Sequence, residues 1–193
     1  RNLSDECLAL SQPLAFVNDI ALLNECTERS DFYVSADHQR LKQVLLNLIS
    51  NAIKYNRAGG SVTVSCGKVD QNRIRVAVTD TGLGIPAEKQ DQLFQPFNRL
   101  GIESSQIQGT GIGLTITKSL IETMGGQIGF ESSPGKGSVF WIELPEAAGN
   151  ERQSGSMDKS AVVGDEIEMM NHLHAKILYV EDNLLNQKLM MQI

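Results

Sequence analysis

Two pairs of runs with a two-residue period constrain the fold most. Residues 59–69, GGSVTVSCGKV, and 73–80, RIRVAVTD, alternate apolar and polar side chains and are joined by DQN. Alternation puts one face of a strand in a core, and a short polar join predicts an antiparallel hairpin. Residues 127–132, QIGFES, and 138–145, SVFWIELP, repeat the arrangement around SPGKG. Helical patterns separate the hairpins instead of following every strand, so strict βα alternation is missing and a Rossmann-type parallel sheet is disfavoured. The order predicts an α+β fold, a mixed sheet covered by helices on one face.

The remaining elements are read from apolar spacing and caps. Residues 4–17 have helical spacing, with Pro13 as a weak point. Residues 19–25 and 32–35 (FYVS) read as strands. Asp37 stands at the N-cap of a long helix reaching Tyr55. A short helix is expected over 87–93 and a polar loop over 98–110. A further helix over 111–124 stops at Gly125-Gly126.

The chain has 193 residues, 41% of them hydrophobic and 21% charged, which is ordinary for a soluble domain with a core. A net charge of −6 disfavours nucleic-acid binding through a broad basic surface. Cys7, Cys26 and Cys66 form no metal-binding spacing and read as reduced thiols of a cytosolic chain. No apolar run approaches the ~18 residues of a membrane span. The chain begins at Arg1 without a signal peptide. The expectation is a cytoplasmic fragment of a longer protein, whose membrane anchoring elsewhere is left open.

The long helix carries an unusual stripe. At about 100° per residue, Arg40, Gln43, Asn47, Asn51 and Lys54 fall within roughly 80° of one another. Leu41, Val44, Leu45, Leu46, Leu48, Ile49, Ala52 and Ile53 cover most of the rest. An unpaired buried amide costs on the order of 1–3 kcal/mol, so Asn47 and Asn51 need partners or water. Two glycine-rich stretches offer a reason. DTGLGIP (80–86) follows a strand, and Gly82 and Gly84 permit close approach of the backbone to a ligand. QGTGIGLTITKSL (108–120) sets Gly109, Gly111 and Gly113 at a helix start, where backbone N–H groups can face phosphates. It is not a Walker A loop. Phe94 and Phe97, in LFQPFNRL, read as core.

Taken in order, NxxxN on a helix, DTGLGIP, FQPF and GTGIGL resemble the N, G1, F and G2 boxes of the catalytic ATP-binding domain of sensor histidine kinases. That fold is shared with gyrase, the large heat-shock chaperones and mismatch-repair ATPases. The resemblance covers about residues 8–145. It implies a two-layer α/β sandwich with a flexible lid over roughly 95–112, with ATP and Mg²⁺ as ligands.

The resemblance also implies roles. Asn51 matches the amide that holds Mg²⁺ between the phosphates, and Asn47 its phosphate-side neighbour. Lys54 and Arg99 match basic residues that approach the phosphates, and Tyr55 an aromatic against adenine. Asp80 matches the carboxylate that accepts from the adenine amino group, in a pocket shaped by Gly82, Gly84 and Ile85. Gly109, Thr110, Gly111, Ile112, Gly113 and Leu114 match the phosphate loop and the residue following it. Ser138 sits where the family often has Thr.

Related ATPases commonly hold Glu at the position of Asn47, where it acts on the attacking water. An amide cannot take that proton. The implied activity is γ-phosphoryl transfer to a histidine on a separate dimerisation domain. None of His38, His172 and His174 has the acceptor context, so this chain is not expected to autophosphorylate alone, and a monomer is expected. AKILYVEDNLLNQKLM (175–190) resembles the start of a receiver domain, with Glu181 and Asp182 as its Mg²⁺-binding acidic pair. The expected organisation is a catalytic domain over 1–148, a polar linker over 149–173 and a truncated receiver start over 174–193. A nucleotide-binding module without phosphotransfer and a serine kinase of the anti-sigma type are the competing readings.

Overall fold

The computed structural model describes residues 3–26, 32–70, 72–98 and 111–147. Among these residues, four helices and five strands run in the order α1 (Leu3–Val17), β1 (Ala21–Asn24), α2 (His38–Lys54), β2 (Ser61–Asp70), β3 (Arg73–Asp80), α3 (Ala87–Gln90), α4 (Gly113–Thr123), β4 (Gln127–Ser133) and β5 (Gly137–Pro145). The strands form one sheet in the order β1-β2-β3-β5-β4. β1 joins β2 in parallel, and the other pairs are antiparallel. The sheet is therefore mixed, as the order of elements predicts.

Alternation makes the core. Val62 and Val64 of β2, Ile74, Val76 and Val78 of β3, and Ile142 and Leu144 of β5 are buried. All but Ile74 meet Val44, Leu48, Ile49 and Ile53 of α2 and Ile121 of α4 in one cluster. Asp37 caps α2, its carboxylate accepting from Arg40 N at 2.9 Å. α4 ends in a paired closure in which Gly126 N donates to Ile121 O and Gly125 N to Glu122 O, with Gly125 at φ 72°.

Several expectations are corrected. Pro13 does not end α1, which continues to Val17. It only deprives the carbonyl of Ala9, an exposed residue, of its helical donor. Residues 32–35 form no strand. Val34 makes an isolated bridge to Glu146, and Ser35 N donates to Pro145 O. β5 is already paired with β3 and β4, whose register ends at Gln127↔Glu143, so this run reaches only the end of β5. α3 is shorter than expected.

The cysteines are not all reduced either. Cys26 and Cys66 form a disulfide, and Cys7 is buried and free. The parallel register pairs Ala21 with Ser61 and Asn24 with Val64, and the same offset of 40 brings Cys26 opposite Cys66. That offset belongs to a pairing between distant segments, which cysteine spacing alone cannot show. No helix among the described residues is long and apolar enough to cross a membrane.

Candidate functional site

The alternation that buries Ile74, Val76 and Val78 also buries Asp80, at the end of β3, to 7% exposure. A carboxylate on the core face needs donors. Its Oδ1 accepts from Gly82 N at 2.8 Å and from Ser138 N at 3.2 Å. The register of β3 with β5 places Ser138 opposite it, and the Ser138 hydroxyl adds a further bond. Burial still pushes the Asp80 carboxyl above its usual range, the bonds from Gly82 and Ser138 offsetting only part of that.

Asp80 opens into a cavity of about 280 Å³ between α2, the loop after β3 and the start of α4. α2 supplies Asn47, Asn51 and Lys54 to its wall, and its C-cap residue Tyr55 joins them. The upper part of the helix stripe, Arg40 and Gln43, is exposed, while the lower part faces this cavity. Gly84, Ile85, Gly111, Gly113, Leu114 and Ser138 complete the set of expected residues that line it. Asn47 is not left unpaired: its Nδ2 donates to the Thr117 hydroxyl on α4 at 2.8 Å.

Two expected residues do not line the cavity, Gly82 and Ile112. Gly82 lies behind the wall, where an added Cβ would stand 2.4 Å from the Tyr55 carbonyl oxygen. Its role is to let the loop pass under the end of α2, where Leu83 N donates to Tyr55 O. Arg99, Gly109 and Thr110, with most of the expected lid, lie outside the described residues, as do Glu181 and Asp182.

The structure also adds residues. Ser50, Leu83, Pro86, Lys89, Leu93, Asn98 and Phe140 line the cavity. Strand alternation carries the signal for Phe140, which shares the face of Ser138 and Ile142. For Lys89 no sequence signal exists, because α3 is short and polar. The core reading of Phe97 is overturned: it is 74% exposed at φ 63°, its N–H donating to Gly111 O. That bond holds it at the cavity's rim. Phe94 is half-buried against Phe130.

The chemistry of this set is a buried hydrogen-bond acceptor sharing one cavity with two amides and two lysines. The family described as histidine kinase-, DNA gyrase B-, and HSP90-like ATPase matches residues 36–148. The chain belongs to that ATPase family. ATP is accordingly the nucleotide this ATPase domain uses. The sensor protein GacS of Pseudomonas syringae pv. syringae is 38% identical over 160 residues, 80% of this chain and 18% of that protein. The sensor histidine kinase AruS of Pseudomonas aeruginosa is 36% identical over 194 residues, covering 97% of this chain and 18% of AruS. The chain thus spans under a fifth of the length of these curated relatives. Among solved structures, the catalytic domain of histidine kinase ThkA superposes with a TM-score of 0.64 at 34% identity, over 75% of this chain and 90% of that one. ThkA has also been solved in complex with the response regulator protein TrrA, matched here with a TM-score of 0.60 at 32% identity over 75% of this chain and 40% of that one.

Proposed function

We propose that this ATPase domain binds Mg-ATP in the cavity beside Asp80 and donates the γ-phosphoryl group to a histidine on a separate dimerisation domain. One observation carries the reading: a buried carboxylate shares a cavity with the amide and lysine stripe of α2. The carboxylate accepts from the amino group of adenine. Guanine presents a carbonyl there, so two acceptors would face each other, and ATP is selected over GTP. Tyr55 and Ile85 flank the base, and Lys54 reaches the phosphates as a point charge.

Among the described residues no cluster of three His, Cys, Asp or Glu side chains suits a metal ion. The protein donors at the phosphate end are neutral amide oxygens, which suit a hard cation only when phosphate oxygens supply the charge. Mg²⁺ therefore fits as a companion of the triphosphate, held by Asn51, where it would neutralise phosphate charge. Asn47 cannot act as a general base, so water is a poor nucleophile and the γ-phosphoryl group is kept for an imidazole. In the transfer, the neutral imidazole nitrogen bonds to phosphorus as the bridging oxygen leaves with ADP.

The reading extends to the rest of the chain. We place the domain in the cytoplasm, as a monomer by itself, followed by a linker over 149–173 and the start of a receiver over 174–193. Glu181 and Asp182 would supply part of that receiver's Mg²⁺ site. The relatives named as sensor kinases and the response-regulator complex of ThkA support this setting. The test is γ-labelled ATP with an added histidine-bearing dimerisation domain. Acid-labile, base-stable label on that domain is expected. Tight ATP binding without label would make the chain a binding module.

A further inference from the structure

Ile85 lines the cavity, yet the groups that hold it do not. Its N–H donates to the Ser132 hydroxyl at 2.8 Å, and its carbonyl accepts from Gln90 Nε2 at 2.9 Å. Gln90 Nε2 also donates to the Ser132 carbonyl at 3.2 Å. An amide nitrogen has two protons, and here each has a carbonyl acceptor, so only one orientation of the Gln90 amide fits. The Ser132 hydroxyl further lies 3.0 Å from the Ser138 hydroxyl and 3.2 Å from Gly137 O. Ser138 is the residue that donates to Asp80. Gln90 and Ser132 thus hold both polar groups of Ile85, and Ser132 also touches the hydroxyl beside Asp80. The phosphate-facing Asn47 lies eight residues up α2 from Tyr55, about 12 Å along the axis.

We infer that Gln90 and Ser132 are positioning residues that set the fit of the purine-facing wall, and through it the preference for adenine, without touching the nucleotide. This rests on the ATP-site reading above. A displaced Ile85 or a turned Ser138 hydroxyl disturbs the base end while leaving the phosphate end as it is. The two residues therefore act on nucleotide affinity and base choice.

The test is equilibrium binding of ATP, GTP and inorganic triphosphate to the full chain, comparing wild type with Gln90→Leu, Gln90→Glu and Ser132→Ala. Gln90→Leu removes two hydrogen bonds and is expected to weaken ATP roughly tenfold. Triphosphate affinity stays unchanged, and the ATP-to-GTP ratio narrows. Gln90→Glu is expected to be worse, since a carboxylate then faces two carbonyl oxygens. Ser132→Ala follows Gln90→Leu, and Ser132→Thr, which keeps the hydroxyl, restores ATP binding. If Gln90→Leu fails to melt cooperatively, the Ser132 pair carries the test. Unchanged ATP affinity and base ratio in these variants would overturn the inference alone, as would an equal loss of ATP and triphosphate. Wild-type protein that binds ATP and GTP equally would overturn the site reading and the inference with it.

Discussion

Asn47 Nδ2 donates to the Thr117 hydroxyl at 2.8 Å, joining α2 to α4 across 70 residues of chain. Thr117 is 1% exposed, so the bond satisfies a hydroxyl that water does not reach. The other end of the amide, Oδ1, lies where a Cβ on Gly113 would come within 2.5 Å of it. One side chain thus ties two helices together and presents its oxygen to the start of α4. Asn47→Ala should cost about 1–2 kcal/mol of stability by leaving Thr117 unpaired. Gly113→Ala should weaken ATP binding by pushing the amide aside, with little change in melting because Ala favours the helix. Calorimetric titration beside thermal unfolding checks both. Wild-type protein should hydrolyse ATP slowly, and rapid turnover lost in Asn47→Ala would contradict the role given to the amide.

Burial of Asp80 sets its cost to stability against the base recognition proposed for it. Burial raises its pKa in the folded state, so folding favours the neutral carboxyl. The associated stability is present below the ordinary carboxyl range and is lost as pH rises through the raised folded value. At neutral pH the ionised group therefore opposes folding. Asp80→Asn should leave the unliganded protein as stable or more so at pH 7, while abolishing the preference for ATP over GTP. ATP affinity of wild type should fall, on acidification, at a higher pH than an ordinary carboxylate would give. Unfolding midpoints and binding constants measured across that range decide it.

Gly84 has no tolerant substitute. It sits at φ 66°, and a Cβ there would stand 2.0 Å from the Ser133 carbonyl oxygen. Gly84→Ala should destabilise by about 2 kcal/mol or more. Gly67 on β2 makes the control, since nothing lies within 4 Å of its added Cβ. Gly67→Ala should be neutral or stabilising by up to about 1 kcal/mol. Denaturant midpoints for the two variants should separate clearly.

The Cys26–Cys66 disulfide closes a separation of 40 residues. Constraining the unfolded chain over that length is worth about 4 kcal/mol in the chain-entropy account. Reductant, or Cys26→Ser, should lower the unfolding midpoint accordingly. Thiol titration of unfolded protein should count one thiol before reduction and three after. In the folded protein the remaining Cys7 should react slowly, because burial pushes its thiol up to about 11. Three thiols titrated in the unfolded protein before reduction would refute the bond.

Much of this was legible along the chain, because the signals are local. The two-residue alternation of RIRVAVTD puts Asp80 on the core face, and a roughly 100° helical step gathers Asn47, Asn51 and Lys54 on one stripe. Asp37 and Gly125-Gly126 mark the ends of α2 and α4, and the order of the glycine boxes points to the family. Resemblance also singles out Ser138. Where local pattern misled, a distant neighbour decided: the end of β5 reduced 32–35 to a bridge, and the bond to Gly111 holds Phe97 at the surface. Only the folded chain sets Thr117 against Asn47, Gln90 and Ser132 around Ile85, and Cys26 opposite Cys66. Covalent geometry repeats every two or about 3.6 residues and can be read from side-chain types. The partner of a side chain across 40 or 70 residues depends on strand register and helix packing, which no single segment encodes.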